Sequence, residues 1–253
     1  MNPWIIYSQP KPSASLRLFV FPHAGGGSGG FRNWATRLGN EIELGYVQCP
    51  GRESRFREVP YSSIPELMPA LADALSPHLD RPFAFYGHSL GGRIAFEAMR
   101  ELRRRGNKEA AHLFVAACPA PQLPWPLPFM HGLDTPQFLE EMQKRYGGIP
   151  QQILEEEELC ALLLPVLRAD ITMLETYSYV EDAPLDSGIT VFGGVEDRMV
   201  RESSLAPWRL QTSGVFRLQM EAGNHFFPQS AQSSLPESVA AELTRVARVN
   251  EHI

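Results

Sequence analysis

A serine between two glycines is the strongest candidate for chemistry in this chain of 253 residues. The pentapeptide Gly87-His88-Ser89-Leu90-Gly91 matches G-x-S-x-G, a strand-to-helix turn that presents a serine hydroxyl as a nucleophile. An apolar run from Phe83 leads into the motif, and an amphipathic stretch, Leu90 to Arg105, follows it. Because strand, turn and helix come in the order that the chemistry needs, the pattern predicts that Ser89 is a nucleophile.

A serine hydroxyl is a weak nucleophile at neutral pH, so a base and an orienting acid must accompany it. After a turn of this kind, the acid and then the histidine follow later in the chain. Asp197 comes after the predicted strand Ile189 to Phe192, and His225 comes after the predicted strand Val215 to Met220. Both lie at carboxyl ends of strands, where the sites of open α/β sheets collect. The other carboxylates considered for the acid are Glu196, Asp170 and Asp182.

The loop after the predicted strand Leu16 to Phe21 is the candidate for an oxyanion hole. It contains His23-Ala24-Gly25-Gly26, whose glycines let the backbone approach a substrate carbonyl. A loop in this place supplies one backbone N–H to the developing oxyanion, and the residue after the nucleophile supplies the other. The two predicted donors are therefore the N–H groups of Ala24 and Leu90.

The same loop allows two other interpretations. Gly26-Gly27-Ser28-Gly29-Gly30 also matches G-x-S-x-G, but Ser28 lies in a run of glycines well past the strand end. The segment Gly25 to Gly30 also matches the dinucleotide-binding pattern G-x-G-x-x-G. Pro22-His23-Ala24 separates the strand from these glycines and loosens the tight turn that this fingerprint requires. A dinucleotide-binding oxidoreductase is kept as a remote alternative.

The positioning elements are predicted by short apolar runs that alternate with amphipathic stretches. This alternation is typical of βα units around a mostly parallel sheet with helices on both faces. Helices are expected over Ile64 to Leu79 and Leu90 to Arg105. The predicted strands are Leu16 to Phe21, Leu44 to Gln48, Phe83 to Tyr86, Leu113 to Ala117, Ile189 to Phe192 and Val215 to Met220.

The alternation breaks between about residues 119 and 186. This stretch opens with five prolines between Pro119 and Pro128, and helical patterning follows over Gln137 to Tyr146 and from Glu155 to about Tyr177. A long helical insertion between two strands favours a lid within one domain that spans residues 1–253. The alternative is a helical layer with no gating role.

The composition of the chain limits the kinds of partner and site that we expect. The chain carries 23 Lys and Arg against 29 Asp and Glu, and this net charge of -6 argues against a nucleic-acid surface. Three cysteines without metal-ligand spacing, and the lack of an HExxH motif, predict neither a disulfide framework nor a metal site. Without a basic, apolar leader at the N-terminus, we expect a cytoplasmic protein that does not enter membranes.

Five motifs in a fixed order carry a family resemblance: Phe21-Pro22-His23-Ala24-Gly25-Gly26, Pro50-Gly51-Arg52-Glu53, the Ser89 pentapeptide, Leu164-Pro165-Val166-Leu167-Arg168-Ala169-Asp170, and Gly223-Asn224-His225-Phe226-Phe227. From about Leu16 to Val246, the chain resembles a type II thioesterase, the free-standing α/β-hydrolase that serves nonribosomal peptide and polyketide synthases. The sequence departs from the usual pattern at Asn224, where a second glycine is common. The resemblance implies an α/β-hydrolase fold, a helical lid, a triad of Ser89, His225 and Asp197, and an oxyanion hole from Ala24 and Leu90.

The resemblance also implies a substrate: an acyl or aminoacyl thioester on the phosphopantetheine arm of a carrier protein, cleared by hydrolysis in a housekeeping role. No cofactor is then expected, because phosphopantetheine arrives with the substrate, and we expect a monomer. Carrier proteins are generally acidic, so a basic rim of Arg52, Arg55 and Arg57 is predicted to dock them, although a solvated loop explains these arginines equally well. The predicted substrate contacts are His23, His88, Trp125, Phe129 and Met130, with Phe138, Met142 and Met173 as further candidates for an acyl chamber.

Other functions remain compatible with these motifs. A general acyl-CoA thioesterase or a carboxylesterase would use the same three residues on other esters. A hydrolase-fold protein that only binds its ligand is a further alternative, which an intact set of serine, acid and histidine disfavours.

Overall fold

In the computed structural model, which describes residues 3–147, 156–230 and 232–250, the strands form one sheet in the order β1-β3-β2-β4-β5-β6-β7. The edge strand β1 is antiparallel to β3, and every other pairing is parallel. The strands are β1 Ile5–Ile6, β2 Leu16–Phe21, β3 Ile42–Val47, β4 Phe83–His88, β5 His112–Ala116, β6 Gly188–Gly194 and β7 Phe216–Glu221. The helices are α1 Trp34–Arg37, α2 Ile64–Leu75, α3 Leu90–Arg104, α4 Thr135–Tyr146, α5 Glu157–Glu175, α6 Glu202–Leu205 and α7 Leu235–Asn250.

Helices cover both faces of the sheet, as predicted. Along β2, Phe19 and Phe21 point into the core that α2 and α3 cover, while Leu18 and Val20 point into the core beneath α1 and α7. A strand that is buried on both faces is apolar throughout rather than alternately apolar and polar, which explains the continuous runs in the sequence. None of the helices in the described part of the chain has the length and apolarity that crossing a membrane requires.

The predicted strands are confirmed, with bounds that differ from the observed ones by at most two residues. Several short or terminal elements were not predicted from the sequence, among them β1, α6 and α7. Strand β1 has only two residues, too few for a periodic pattern, and it is defined by its pairing with β3. Helix α7 packs Leu235, Val239 and Leu243 under the sheet.

The insertion between β5 and β6 contains α4 and α5, and their ends lie within two residues of the predicted ones. The predicted start of the second helix, Glu155, lies outside the described residues. Helix α4 follows Asp134, whose Oδ1 accepts the N–H of Gln137 at 2.9 Å, and it ends before Gly147, which has a φ of +61°. The two helices share a small apolar cluster made of Met130, Phe138, Met142 and Ile171.

Both ends of the insertion are attached to α3. The Arg93 guanidinium donates to the carbonyls of Pro119 and Pro121 at 3.3 and 3.0 Å, and it lies 4.4 Å from the centre of the Tyr177 ring. The Tyr177 hydroxyl donates in turn to Glu97 at 2.6 Å. These contacts hold the base of the insertion against the helix that follows the Ser89 turn.

The aromatic centre of the sheet provides a test of the fold. Phe85 is fully buried and its ring lies 5.0 Å from Phe21 and 5.7 Å from Phe19. Phe85→Ala should lower the free energy of unfolding by about 3–5 kcal/mol, because it leaves a cavity that the sheet cannot close. The control Val59→Ala changes a side chain that is 86% exposed and should alter stability by less than about 0.5 kcal/mol. Urea unfolding measures both, and equal effects would contradict this packing.

Candidate active site

Ser89 lies at the junction of β4 and α3 in a strained backbone conformation. Its φ is +55°, a region that residues other than glycine rarely adopt. The Ser89 N–H donates to the Ala116 carbonyl on β5 at 2.8 Å, so the neighbouring strand holds the turn. Ala117, which follows the neighbouring strand β5, also has a positive φ of +49°. Backbone strain of this kind clusters at functional positions.

The two glycines of the motif are required by close backbone approach. A Cβ atom on Gly87 would lie 2.3 Å from the Gly91 carbonyl oxygen, and one on Gly91 would lie 2.1 Å from the Phe21 carbonyl oxygen. Neither position has room for any side chain. The turn at Ser89 therefore packs directly against the end of β2, from which the predicted oxyanion loop starts.

Ser89, His225 and Asp197 form one chain of hydrogen bonds. The Ser89 hydroxyl donates to His225 Nε2 at 3.0 Å, and His225 Nδ1 donates to Asp197 Oδ2 at 2.8 Å. The side chains of His225 and Asp197 are 7% and 0% exposed, so solvent does not compete for these bonds. The arrangement leaves the Nε2 lone pair free to take a proton from the serine.

The Asp197 carboxylate is held by the backbone that follows β6. Its Oδ1 accepts the N–H groups of Met199 and Val200 at 2.8 and 3.0 Å, which leaves Oδ2 for His225. In the described part of the chain, the three other carboxylates considered from the sequence make no contact with His225. Glu196 is exposed, Asp182 pairs with Arg103, and Asp170 is buried against the oxyanion loop.

His88 lies beneath this site rather than in it. The side chain is fully buried, and its Nε2 donates to the His225 carbonyl at 2.8 Å. Burial lowers the pKa of the His88 imidazole well below its usual value, so the ring stays neutral. The prediction that His88 contacts the substrate is wrong, because the ring is fully buried against the backbone of His225 and does not line the cavity beside Ser89.

His23 does line the cavity above Ser89. Its Nδ1 donates to the Ala24 carbonyl at 2.9 Å, and its ring packs against those of His88 and Phe226. Burial lowers the pKa of His23 as well. A substrate contact at His23 stays a prediction.

The two predicted oxyanion donors have suitable surroundings. Ala24 lines the same cavity as Ser89. Leu90 is the first residue of α3, so its N–H has no acceptor within the helix and lies at the positive end of the helix dipole. Next to Ala24, the Gly25 N–H donates to Asp170 Oδ2 at 2.7 Å. Asp170 belongs to a motif noted in the sequence, but the motif carries no signal for this contact.

The alternative interpretations of the glycine loop find little support. Ser28 donates to Glu53 Oε1 at 2.7 Å on an exposed surface, and no histidine of the described chain contacts it. The loop continues into a 3₁₀ turn, Ser28–Phe31, and then into the four-residue α1. A dinucleotide fingerprint needs a glycine turn that opens directly into a helix long enough to bind a pyrophosphate.

An apolar cavity of about 200 Å³ opens beside Ser89 and His225. Most of its wall comes from α4 and α5, and the ring of Tyr146 at the end of α4 lies 5.5 Å from that of His225. The wall residues of α5 recur every three or four positions, a helical periodicity by which the sequence could have indicated them. The wall residues from these two helices are Leu139, Met142, Tyr146, Cys160, Leu163, Leu164, Val166, Leu167, Ile171 and Leu174.

Met142 is the one predicted chamber residue from the insertion that lines this cavity within the described residues. Met130 and Phe138 are buried in the cluster between α4 and α5 instead. Phe129 is 56% exposed beside His131, so it faces away. Met173 belongs to the core that α2 and α3 cover, and Trp125 packs against that core. The predictions for Trp125, Phe129, Met130, Phe138 and Met173 are wrong for this cavity.

The predicted basic rim is wrong for two of its three arginines. Arg52 donates through its guanidinium to Asp170 Oδ1 at 2.8 Å, and its side chain is only 10% exposed. Arg55 is also buried, with its guanidinium 4.1 Å from the centre of the Trp4 ring and a hydrogen bond to the Gln48 carbonyl. Arg57 is exposed, and its docking role stays a prediction.

Known proteins provide a comparison. A family model described as the thioesterase domain matches residues 16–245. The gramicidin S biosynthesis protein GrsT of Aneurinibacillus migulanus is 37% identical over 246 residues, which cover 97% of this chain and 96% of GrsT. The structure of RedJ, a thioesterase from the prodiginine pathway in Streptomyces coelicolor, superposes with a TM-score of 0.85 at 36% identity, covering 92% of this chain and 87% of RedJ. YbtT, a type II thioesterase from the yersiniabactin NRPS/PKS pathway, superposes with a TM-score of 0.81 at 30% identity, covering 97% of each chain.

These matches show that the protein is an enzyme with the α/β-hydrolase fold that hydrolyses thioesters. The chain belongs to the thioesterase family, and its predicted resemblance to type II thioesterases is confirmed.

The close approach at Gly91 can be tested by one methyl group. Gly91→Ala would place a Cβ 2.1 Å from the Phe21 carbonyl oxygen and should lower the free energy of unfolding by about 3 kcal/mol or more while abolishing activity. Gly132→Ala is the matched control, because nothing lies within 4 Å of the position that its methyl group would take and its φ is not positive. Thermal unfolding and thioesterase assays compare the two. Normal activity in Gly91→Ala would contradict the described turn.

Proposed function

We propose that this enzyme hydrolyses acyl or aminoacyl thioesters carried on the phosphopantetheine arm of carrier proteins, and so clears stalled synthase domains. The observation that carries the proposal is the hydrogen-bonded chain of Ser89, His225 and Asp197 at the mouth of an apolar cavity. Relatives whose names place them in gramicidin S, prodiginine and yersiniabactin biosynthesis support the carrier-bound substrate.

In the acylation half-reaction, Ser89 Oγ attacks the thioester carbonyl carbon while His225 Nε2 takes the hydroxyl proton. Negative charge develops on the carbonyl oxygen and is met by the N–H groups of Ala24 and Leu90. The C–S bond then breaks, and the imidazolium gives its proton to the departing thiolate. Asp197 keeps the imidazole in the required tautomer and stabilises its charged form.

In the deacylation half-reaction, water attacks the ester carbonyl of the acylated Ser89. His225 takes a proton from the water and returns it to Ser89 Oγ as the C–O bond to the enzyme breaks. The acid leaves and the free serine is restored. No cofactor takes part, since phosphopantetheine belongs to the substrate.

The carrier protein would approach from the solvent side of the site, with the pantetheine arm reaching Ser89. Because Arg52 and Arg55 are engaged internally, Arg57 is what remains of the proposed basic rim. The acyl group would enter the cavity between α4 and α5. The volume of this cavity, about 200 Å³, lies below the roughly 300–1,000 Å³ that is usual for binding sites of drug-sized ligands. A cavity of this size favours short acyl groups.

The assignment of the nucleophile is tested with acylated carrier proteins. Ser89→Ala should lower kcat at least about 10³-fold, because the acyl acceptor is lost. Ser28→Ala is the matched control: this serine belongs to the second glycine motif and should leave the rate unchanged. Mass spectrometry of the carrier proteins after incubation measures deacylation. Activity that survives Ser89→Ala but not Ser28→Ala would overturn the assignment.

The substrate class is tested by attaching the same acyl group to a carrier protein, to CoA and to nitrophenol. We expect the highest kcat/KM on acyl-carrier protein, a lower value on acyl-CoA and the lowest on a nitrophenyl ester. A preference for acyl-CoA or for the oxygen ester would favour a general thioesterase or a carboxylesterase instead.

The proposal that the acyl group occupies this cavity is tested with two substitutions on helix α5. Leu164→Phe adds bulk to the cavity wall, so it should lower kcat/KM for hexanoyl thioesters about 10-fold or more while acetyl thioesters change little. Leu162→Phe changes a side chain of the same helix that is 51% exposed and should affect neither substrate. An equal loss on both acyl lengths in Leu164→Phe would contradict this placement of the acyl group.

A further inference from the structure

One carboxylate of the insertion is buried in the site without belonging to the hydrogen-bonded chain of Ser89. Asp170 on α5 is 1% exposed. Its Oδ2 accepts the Gly25 N–H at 2.7 Å, and its Oδ1 accepts from Arg52 at 2.8 Å. A buried carboxylate is costly unless it is paired and hydrogen-bonded, and here both oxygens have partners.

The contact with Gly25 determines the orientation of a single peptide group. The Ala24–Gly25 peptide has its N–H bound to Asp170 and its carbonyl bound to His23 Nδ1. The Gly26 N–H closes the turn by donating to the His23 carbonyl at 2.9 Å. The peptide after Ala24 is thus held at both ends, and the peptide that carries the Ala24 N–H is held through the His23 carbonyl, so the orientation of this N–H is restricted.

Arg52 orients the carboxylate that makes this contact. Its guanidinium binds Asp170 Oδ1 and also reaches the Gly26 carbonyl at 3.4 Å. It therefore bridges the insertion and the oxyanion loop and balances the buried negative charge. This explains why an arginine in a loop predicted to be a docking surface is withdrawn from solvent.

Helix α5 has two functions at once in this arrangement. Leu167 and Ile171, on either side of Asp170, line the acyl cavity. A Cβ on Gly25 would lie 3.0 Å from the Leu167 side chain, so the loop and the helix are in direct contact. The helix that borders the acyl group thus also holds the loop that faces the carbonyl oxygen.

We propose that Asp170 is a positioning residue for the oxyanion hole: through Gly25 it directs the Ala24 N–H at the developing oxyanion, and Arg52 holds its carboxylate in place. The proposal rests on the proposed function, in which Ala24 is an oxyanion donor. It adds that the insertion contributes to transition-state stabilisation and not to substrate binding alone.

The central test is Asp170→Asn. The amide cannot accept from Gly25 and from Arg52 as a carboxylate does, so kcat should fall about 10- to 100-fold while KM changes less than about 3-fold. Two inhibitors give a readout that a merely structural role would not move. An acyl trifluoromethyl ketone is attacked by Ser89 and forms an oxyanion, and it should bind about 10-fold or more weakly, whereas the matching thioether, which has no carbonyl, should bind within about 2-fold of its wild-type affinity.

Asp170→Asn leaves the buried charge of Arg52 without its carboxylate partner. If this unpaired charge unfolds the variant, two further variants still test the proposal. The double variant Asp170→Asn/Arg52→Gln removes that charge and should show the same selective loss for the ketone. Asp182→Asn is the matched control, because Asp182 also pairs with an arginine at the insertion but contacts Arg103 far from the oxyanion loop. It should leave kcat and both affinities unchanged.

The outcomes separate this proposal from the proposed function. An unchanged kcat in Asp170→Asn, or an equal loss of ketone and thioether binding in the folded variants, would overturn the positioning role. Ser89→Ala, assayed in parallel, reports on the function itself. If Ser89→Ala is inactive and Asp170→Asn is fully active, the nucleophile stands and the positioning role fails.

Discussion

The site depends on one close approach between backbones. The turn that carries Ser89 lies against the end of β2 so tightly that a methyl group on Gly91 would overlap the Phe21 carbonyl. This contact brings the start of α3 beside the loop that leaves β2. Leu90 directly precedes Gly91, and Ala24 follows Phe21 by three residues, so one predicted oxyanion donor lies on each side of this contact.

The parallel sheet supplies the remaining groups. Strands β4, β5, β6 and β7 run side by side in the same direction, so the segments after them meet at one edge of the sheet. Asp197 follows β6, where the N–H groups of Met199 and Val200 hold its Oδ1. His225 follows β7, and its carbonyl accepts from His88 Nε2. The insertion then covers this edge, where α5 lines the apolar cavity and contacts the predicted oxyanion loop.

The parts of this site that the sequence could predict are those encoded locally. A glycine pattern at a strand end specifies the turn at Ser89, and strand order places Asp197 and His225 at the same edge. The insertion was predictable as two helices but not in its packing, since the burial of Met130 and Phe138 depends on a partner helix. Arg52 shows the same limit: its partner Asp170 is 118 residues away, and nothing in the loop around Arg52 signals that its charge is neutralised.

Acyl transfer through Ser89, with His225 removing its proton, is tested most directly by finding the acyl-enzyme. Rapid-quench mass spectrometry of the wild-type enzyme with an acyl thioester, followed by peptide mapping, would locate the acyl group. We predict a transient ester on the peptide that contains Ser89, and no such ester when His225 is replaced by alanine. A thioester on Cys160, which also lines the cavity, or acylation of Ser28 would contradict this mechanism.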